Sequence, residues 1–410
     1  MAATLWGKVY YQDRYTGILQ QEPGGRYAFT YDTAYIEASG PAIAHTLSLQ
    51  EATHYSEGSL HSFFDNLVAE GWLRNAQARA LGVRPDDRFA LLLAFGHDCA
   101  GAVSVIDPEP AGELELDAAD QESLAALTSR ASLSGIQPKI MAVRDARGYR
   151  PAQANEVSTH IAKLPSGQVL DIIGLEWLTS QAANRLLPEE PIAAMEIAAL
   201  GNVAGEALII RRFDRTTKGE KLHFEEFNQL LGRPSEAKYD GGYEEIAAFI
   251  RRTPACIPAE AERLFRRVLV CLLLGNTDAH MKNFAMFHTA EGLRLTPCYD
   301  LVASAYYPQF DTLALAIAGV ANLRLGALQS KHIVALGEGY GLSARAIRLA
   351  IEDLNRRLDA AKTAVSESDA GTSKLRHRLI EIMEKRWNGT FASTGQLWSK
   401  RHAGGATRKG

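Results

Sequence analysis

The stretch that most limits what this chain can fold into is Gly275-Asn276-Thr277-Asp278-Ala279-His280-Met281-Lys282-Asn283, with Tyr299-Asp300 behind it. An apolar run over 259–274 recurs at helical spacing and leads into it. Two short strand-like segments, 284–287 and 293–295, leave it and turn around Ala290-Glu291-Gly292. A polar loop is thus caught between an element of period 3.6 and a hairpin of period 2. Such a chain needs both helical and sheet partners, and the expected class is α+β.

Asp278 and Asn283 stand in the pattern D-x-x-x-x-N, and Asp300 follows the hairpin. Protein-kinase catalytic loops use that offset for the aspartate that takes the acceptor's proton and the asparagine that holds magnesium. A second metal-binding aspartate follows two short strands there too. Phosphoryl transfer needs in-line positioning and compensation of negative charge more than covalent chemistry. Magnesium takes hard oxygen ligands and keeps several waters, so one amide and one carboxylate suffice beside the phosphates. Asp278 is therefore the candidate base, and Asn283 and Asp300 the candidate metal ligands. His280 and Lys282 are candidates for stabilising the transferred group, although a loop histidine serves equally well as a structural hydrogen-bond partner. An Asp278 that merely capped a turn would leave Asn283 and Asp300 unexplained.

The rest of the chain can be asked whether it supplies a nucleotide site. At 410 residues and 46% hydrophobic content it can bury two or three cores. The first hundred residues read as a small β-rich unit with strands near 5–11, 16–19 and 27–31, then helices carrying Phe63, Phe64 and Leu67. Residues 107–120, rich in proline and acids, read as a linker. Next come Ser132-Leu133-Ser134-Gly135-Ile136-Gln137-Pro138-Lys139 and a strand hairpin. Small residues let backbone N–H groups approach a phosphate, although one glycine between serines is also an ordinary turn. His160–Lys163 is a strand carrying a lysine, and the helix 172–186 carries Glu176. Lysine on a strand followed by glutamate on the next helix is the kinase order. A solvated lysine and a glutamate favoured by the helix dipole give the same pattern. The run 222–230 falls where a kinase hinge meets adenine, and from 244 onward the chain is mostly helical.

No run approaches eighteen apolar residues, and the N-terminus lacks a signal-peptide pattern, so no membrane association and a cytoplasmic setting are expected. The four cysteines are scattered without a C-x-x-C pair, as buried thiols would be. A net charge of −4 argues against this chain gripping a phosphate backbone by itself.

The sequence resembles the HipA-type serine/threonine kinase toxins of bacterial toxin–antitoxin systems. The residues that carry the resemblance are Ser132 to Lys139, Thr159-His-Ile-Ala-Lys163, Arg212-Phe-Asp-Arg215, Lys238-Tyr-Asp240, the 275–283 motif and Pro297-Cys-Tyr-Asp300. Phe63 to Gly71 and Gly96 to Ala102 add to them in the first unit. The resemblance implies a two-lobed, protein-kinase-like fold with a small β-rich N-terminal subdomain (1–106). An N-lobe (121–225), a helical C-lobe (226–400) and a disordered tail (401–410) follow. It implies ATP as substrate and Mg2+ as cofactor. Asp278, His280 and Lys282 act in catalysis and Asn283 and Asp300 bind metal. Ser134, Gly135, Gln137, Lys139, Lys163, Glu176, Glu225 and Phe227 hold ATP. Ser132 or Ser134 is the silencing autophosphorylation site. The implied partners are a helix-turn-helix antitoxin of the HipB type, DNA only through that antitoxin, and an aminoacyl-tRNA synthetase as substrate.

Two rival readings stay open from the sequence. One is a catalytically silent co-repressor scaffold, and the other a kinase of small molecules. A two-metal phosphoesterase is disfavoured, because the histidines at 54, 61, 97, 160 and 223 show no ligand grouping.

Overall fold

The computed structural model describes residues 5–109, 137–153, 156–167 and 169–394. Its contacts divide into two compact units, Met1–Leu170 with Ala194–Lys238, and Asp171–Ala193 with Tyr239–Gly410. The fold is α+β, as the sequence implies.

The first unit holds two five-stranded sheets. One is built from β1 (Trp6–Tyr11), β2 (Arg14–Gln21), β3 (Arg26–Tyr31), β4 (Thr53–Glu57) and β5 (Val103–Ile106), in the order β4-β3-β2-β1-β5 and antiparallel throughout. Its inner face meets the helices Gly71–Leu81 and Arg88–Phe95 over a core containing Phe29, Phe63, Phe64, Phe89 and Phe95. Five aromatic rings in one cluster bury most of their area, and they account for the aromatic bias of this stretch. Asp87 starts the second helix by accepting from the Ala90 N–H.

The other sheet contains β6 (Lys139–Asp145), β7 (Gly148–Pro151), β8 (His160–Lys163), β9 (Met195–Ala199) and β10 (Glu206–Arg211), in the order β7-β6-β8-β10-β9. The three inner strands place Ile140, Met141, Ala142, Ala162 and Ile209 in a second core. β6 and β8 run antiparallel with Lys139 opposite Lys163.

The second unit is helical apart from the hairpin Ala285–Thr289 and Gly292–Leu295. The helix Ala259–Leu274 is buried along most of its length. The helix Ile172–Leu186, expected in the 121–225 segment, packs in this unit against Ala344–Ser366, where Arg357 donates to the Leu186 carbonyl at 3.1 Å. Ser343 and Thr372 cap the last two long helices by accepting from Ala346 and Leu375. Among the described residues no helix is long and apolar enough to cross a membrane. All four cysteines are free and largely buried, and burial pushes the Cys99 and Cys271 thiols up to about 12.

Candidate active site

The loop begins where the helix Ala259–Leu274 must stop. Gly275 takes a left-handed conformation, φ +77°, and a Cβ there would lie 2.9 Å from Ile382. Glycine is the residue that meets both conditions. The chain then enters a pocket of hydroxyls. Thr277 Oγ1 donates to the Phe310 carbonyl at 2.6 Å, so the 2.7 Å contact with Ser304 Oγ is one in which Ser304 donates. The lone pairs of Ser304 Oγ accept from the Thr277 N–H at 2.8 Å and the Asp278 N–H at 3.2 Å. One buried serine fixes the backbone on both sides of the Thr277–Asp278 peptide.

Asp278 is exposed, while residues 274–277 and 279–282 are all buried. The loop is packed like a core and presents one carboxylate to solvent. Five residues on, Asn283 Oδ1 accepts from the His280 N–H at 2.9 Å, and Asn283 Nδ2 donates to Asp300 Oδ2 at 2.9 Å. A carbonyl oxygen has two lone pairs, so Asn283 Oδ1 can accept a second partner beside the His280 N–H. Asp300 itself sits at φ +55°, in the left-handed region. Aspartate is among the few residues that tolerate it, and such strain collects at functional sites. Tyr299 donates to the Lys282 carbonyl at 2.6 Å, which ties the two halves of the site together.

The donor set suits a hard divalent cation: an amide oxygen and a carboxylate, pre-joined, with no thiolate or imidazole among them. His280 and Lys282 are both buried inside the loop. Tyr239 lies across the site, its hydroxyl 3.1 Å from Asp278 Oδ1 and its ring edge-on to His280 at 5.1 Å.

The expected nucleotide residues divide between the units. Lys163 closes β8 and is 6% exposed, so it is not a solvated surface lysine. Directly opposed residues of an antiparallel pair share a face, so Lys139 and Lys163 place two cations side by side. Such a pair favours an anion. Gln137 donates to the Leu164 carbonyl at 2.9 Å and ties the start of β6 to the end of β8. Glu176 belongs to the other unit and is fully buried on its helix, a different setting from an exposed first-turn glutamate. The side chains of Glu225 and Phe227 are fully buried, and Glu225 accepts from the His45 N–H at 2.7 Å. Any contact these two make with a ligand therefore falls to the main chain. Ser132, Ser134 and Gly135 lie outside the described residues, as does the expected tail 401–410.

Residues 131–362 match the model of the HipA-like C-terminal domain, and residues 7–106 that of the HipA N-terminal domain. The chain belongs to the HipA family. It is 27% identical over 366 residues to the serine/threonine-protein kinase toxin HipA of Shewanella oneidensis, covering 79% of this chain and 81% of that one. A putative kinase of Sinorhizobium fredii, Y4dM, is 32% identical over 317 residues, or 71% and 75% of the two chains. The fold matches HipA in a Shewanella oneidensis complex of HipA, HipB and operator DNA, with a TM-score of 0.76 at 22% identity over 95% of this chain and 99% of that one. The enzyme is a HipA-type serine/threonine kinase.

Two of the stretches that carry the family resemblance, Gly96 to Ala102 and Arg212 to Arg215, meet in a buried network. Asp98 accepts from Ser158 at 2.6 Å, Arg215 at 2.6 Å and Arg212 at 3.1 Å. Asp214 accepts from both arginines and from the Gly101 N–H at 2.8 Å. Burial pushes both carboxyls up, but Arg212 and Arg215 outweigh it and hold them below the usual carboxylate range. The Phe63-to-Gly71 stretch is likewise structural. Asn66 donates to the Arg233 carbonyl at 2.8 Å, and Glu70 accepts from Ser235 and Lys238 at 2.7 Å each. The N-terminal residues thus brace the segment that runs from Glu225 to Lys238.

Sequence reasoning missed Ser304 altogether. It quoted Tyr239 only as part of a motif. No spacing rule links either residue to Asp278.

Proposed function

We propose that this HipA-type kinase transfers the γ-phosphoryl group of ATP to a serine or threonine of a translation component and acts as the toxin of a toxin–antitoxin pair. The target class suggested by the family is an aminoacyl-tRNA synthetase such as glutamyl-tRNA synthetase. The observation that carries the chemistry is the exposure of Asp278 alone within a buried loop, next to the Asn283–Asp300 pair. In this reading Asp278 accepts the proton of the acceptor hydroxyl. The hydroxyl oxygen bonds to the γ-phosphorus as the bond to the β–γ bridging oxygen breaks, and ADP leaves. Asn283 and Asp300 hold magnesium, which supplies charge compensation on the phosphates. His280 and Lys282 support the transferred group. Lys163 and Lys139, with Gln137, Ser134 and Gly135, take the phosphates. The main chain at Glu225–Phe227 meets adenine, and Glu176 is the orienting carboxylate of the family pattern.

The partner follows the Shewanella oneidensis complex, which holds HipA, HipB and operator DNA. A helix-turn-helix antitoxin of that kind would bring DNA to a chain whose own net charge is −4. Ser132 or Ser134 is the proposed self-silencing site.

Incubation with Mg-ATP, followed by intact-mass spectrometry and peptide mapping beside Asp278→Ala, tests the reading. One phosphate on Ser132 or Ser134 in the wild type and none in the variant supports it. No phosphate before or after incubation, with no ATP consumed, sinks it in favour of an idle antitoxin-binding scaffold.

A further inference from the structure

The main chain around Asp300 is held on both sides by one stretch of chain, the helix Ile172–Leu186 and the loop behind it. Two residues before Asp300, the Cys298 N–H donates to the Pro191 carbonyl at 2.8 Å, and the Cys298 carbonyl accepts from the Ala193 N–H at 2.8 Å. Three residues after it, the buried Ala303 N–H donates to Thr179 Oγ1 at 3.1 Å. Thr179 is fully buried, and its own proton goes to the Leu175 carbonyl at 2.7 Å, so its oxygen meets Ala303 as an acceptor. It stands three residues beyond Glu176, on the same face of the helix. The loop is anchored in turn. Glu190 accepts from Arg263 at 2.7 and 2.9 Å and from Arg267 Nε at 2.8 Å, and Arg267 also donates to the Thr296 carbonyl at 2.7 Å. Burial pushes the Glu190 carboxyl up, but the two arginines outweigh it and hold it below the usual carboxylate range.

We infer that Thr179 and Glu190 are positioning residues for the metal aspartate: Thr179 fixes the main chain after Asp300, and Glu190 fixes the loop that clamps the main chain before it. The inference rests on Asp300 being a magnesium ligand. Both residues act through the backbone rather than on the metal. Magnesium demands oxygens at about 2.0–2.1 Å in a near-octahedral array, so a ligating carboxylate must be placed to within about 0.5 Å. The left-handed backbone of Asp300 does not secure that by itself, because such a conformation persists only where its surroundings over-determine it. The bonds at Cys298 and Ala303 bracket the strained residue and confine it. One consequence is a shared support. The helix that carries Glu176 also carries the anchors of Asp300, so the two carboxylates keep a common frame.

The test titrates free Mg2+ against binding of a fluorescent, non-hydrolysable ATP analogue by the full chain, with thermal melting recorded beside it. The variants are Thr179→Val, Thr179→Ser, Glu190→Gln and Asp300→Asn. Thr179→Val keeps the shape and removes the acceptor. It is expected to raise the Mg2+ midpoint about tenfold, the low end for loss of an outer support of a metal ligand. Thr179→Ser keeps the hydroxyl and should stay near the wild-type midpoint. Glu190→Gln should raise the midpoint too, and Thr179→Val decides the matter if Glu190→Gln does not fold. A folded Thr179→Val or Glu190→Gln at the wild-type midpoint, beside an Asp300→Asn whose midpoint is raised, overturns the inference and leaves the metal assignment standing. A Thr179→Ser as impaired as Thr179→Val overturns it as well, since side-chain volume and not the hydroxyl then explains the loss. An Asp300→Asn with an unchanged midpoint removes the metal assignment and the inference together.

Discussion

Asn283 and Asp300 are joined by a 2.9 Å hydrogen bond from Nδ2 to Oδ2, and Asp300 holds its end from a left-handed backbone at φ +55°. The bond makes one unit of two residues that the sequence separates by a hairpin. The backbone strain, about 1 kcal/mol or more for an L-residue, is tolerated because the surrounding hydrogen bonds over-determine it. Asp300→Gly separates the two properties. It relieves the strain and removes the carboxylate, so thermal stability should hold or rise while phosphoryl transfer falls by about 10² or more. A calorimetric scan beside a radiolabelled-ATP assay reads both. A loss of melting temperature comparable to the loss of activity would show that Asp300 is structural.

Ser304 makes a sharper case, because it never touches the reacting groups. Its hydroxyl accepts from the N–H groups of Thr277 and Asp278, 27 and 26 residues away, and no sequence rule announces it. Ser304→Ala removes the acceptor of the buried Thr277 N–H and one of the two acceptors of the Asp278 N–H, which also donates to Asn276 Oδ1 at 3.2 Å, a cost of about 1–3 kcal/mol. The catalytic loop should loosen, so kcat should fall while ATP affinity stays put. Equal kcat in wild type and Ser304→Ala would show that the loop holds its shape without the serine.

The contrast between Ser304 and Gly275 marks what the sequence could tell. The helix end at Gly275, the D-x-x-x-x-N loop and the hairpin were readable because each is set by neighbours a few residues apart. β4 and β9 were not foreseen. Both are edge strands with mixed burial, and their pairing rather than their pattern defines them. The amphipathic period of Ile172–Leu186 showed that the helix packs, but not which unit receives it. The Glu70–Lys238 and Asp98–Arg215 pairs span 168 and 117 residues. Sequence showed those motifs to be special, and only the fold shows that they brace rather than react.

Asp98 should be needed for folding more than for catalysis. Removing its carboxylate leaves two buried arginines, Arg212 and Arg215, to share the single carboxylate of Asp214 in a site only a few per cent exposed. Breaking a buried pair on one side costs about 3–5 kcal/mol. Asp98→Ala should therefore lower the urea midpoint of the first unit far more than Asp98→Asn, which keeps an acceptor for Ser158. The folded carboxyl lies below its unfolded value, so its contribution is complete above about pH 4 and drains away as the pH falls further. Denaturation followed at pH 7 and pH 3 should show the gap between wild type and Asp98→Asn closing at the lower pH. A gap that is constant or wider there contradicts the network.

Lys163 carries the last expectation. It lies buried opposite Lys139, and a ligand bearing phosphate should stabilise a face built from two adjacent cations. At a hundred times its dissociation constant, a nucleotide that binds only the folded protein adds about 2.7 kcal/mol. Mg-ATP should thus raise the wild-type melting temperature by several degrees. Lys163→Met keeps the aliphatic stem, and with it the packing of β8, but removes the charge. Its melting temperature without nucleotide should stay near that of the wild type, whereas the Mg-ATP shift should largely vanish. Lys139→Met should reduce the shift less, because Lys139 is the less buried of the two. If Lys163→Met keeps a full nucleotide shift, the phosphates are held elsewhere, and the opposed lysines answer to an anion of another kind.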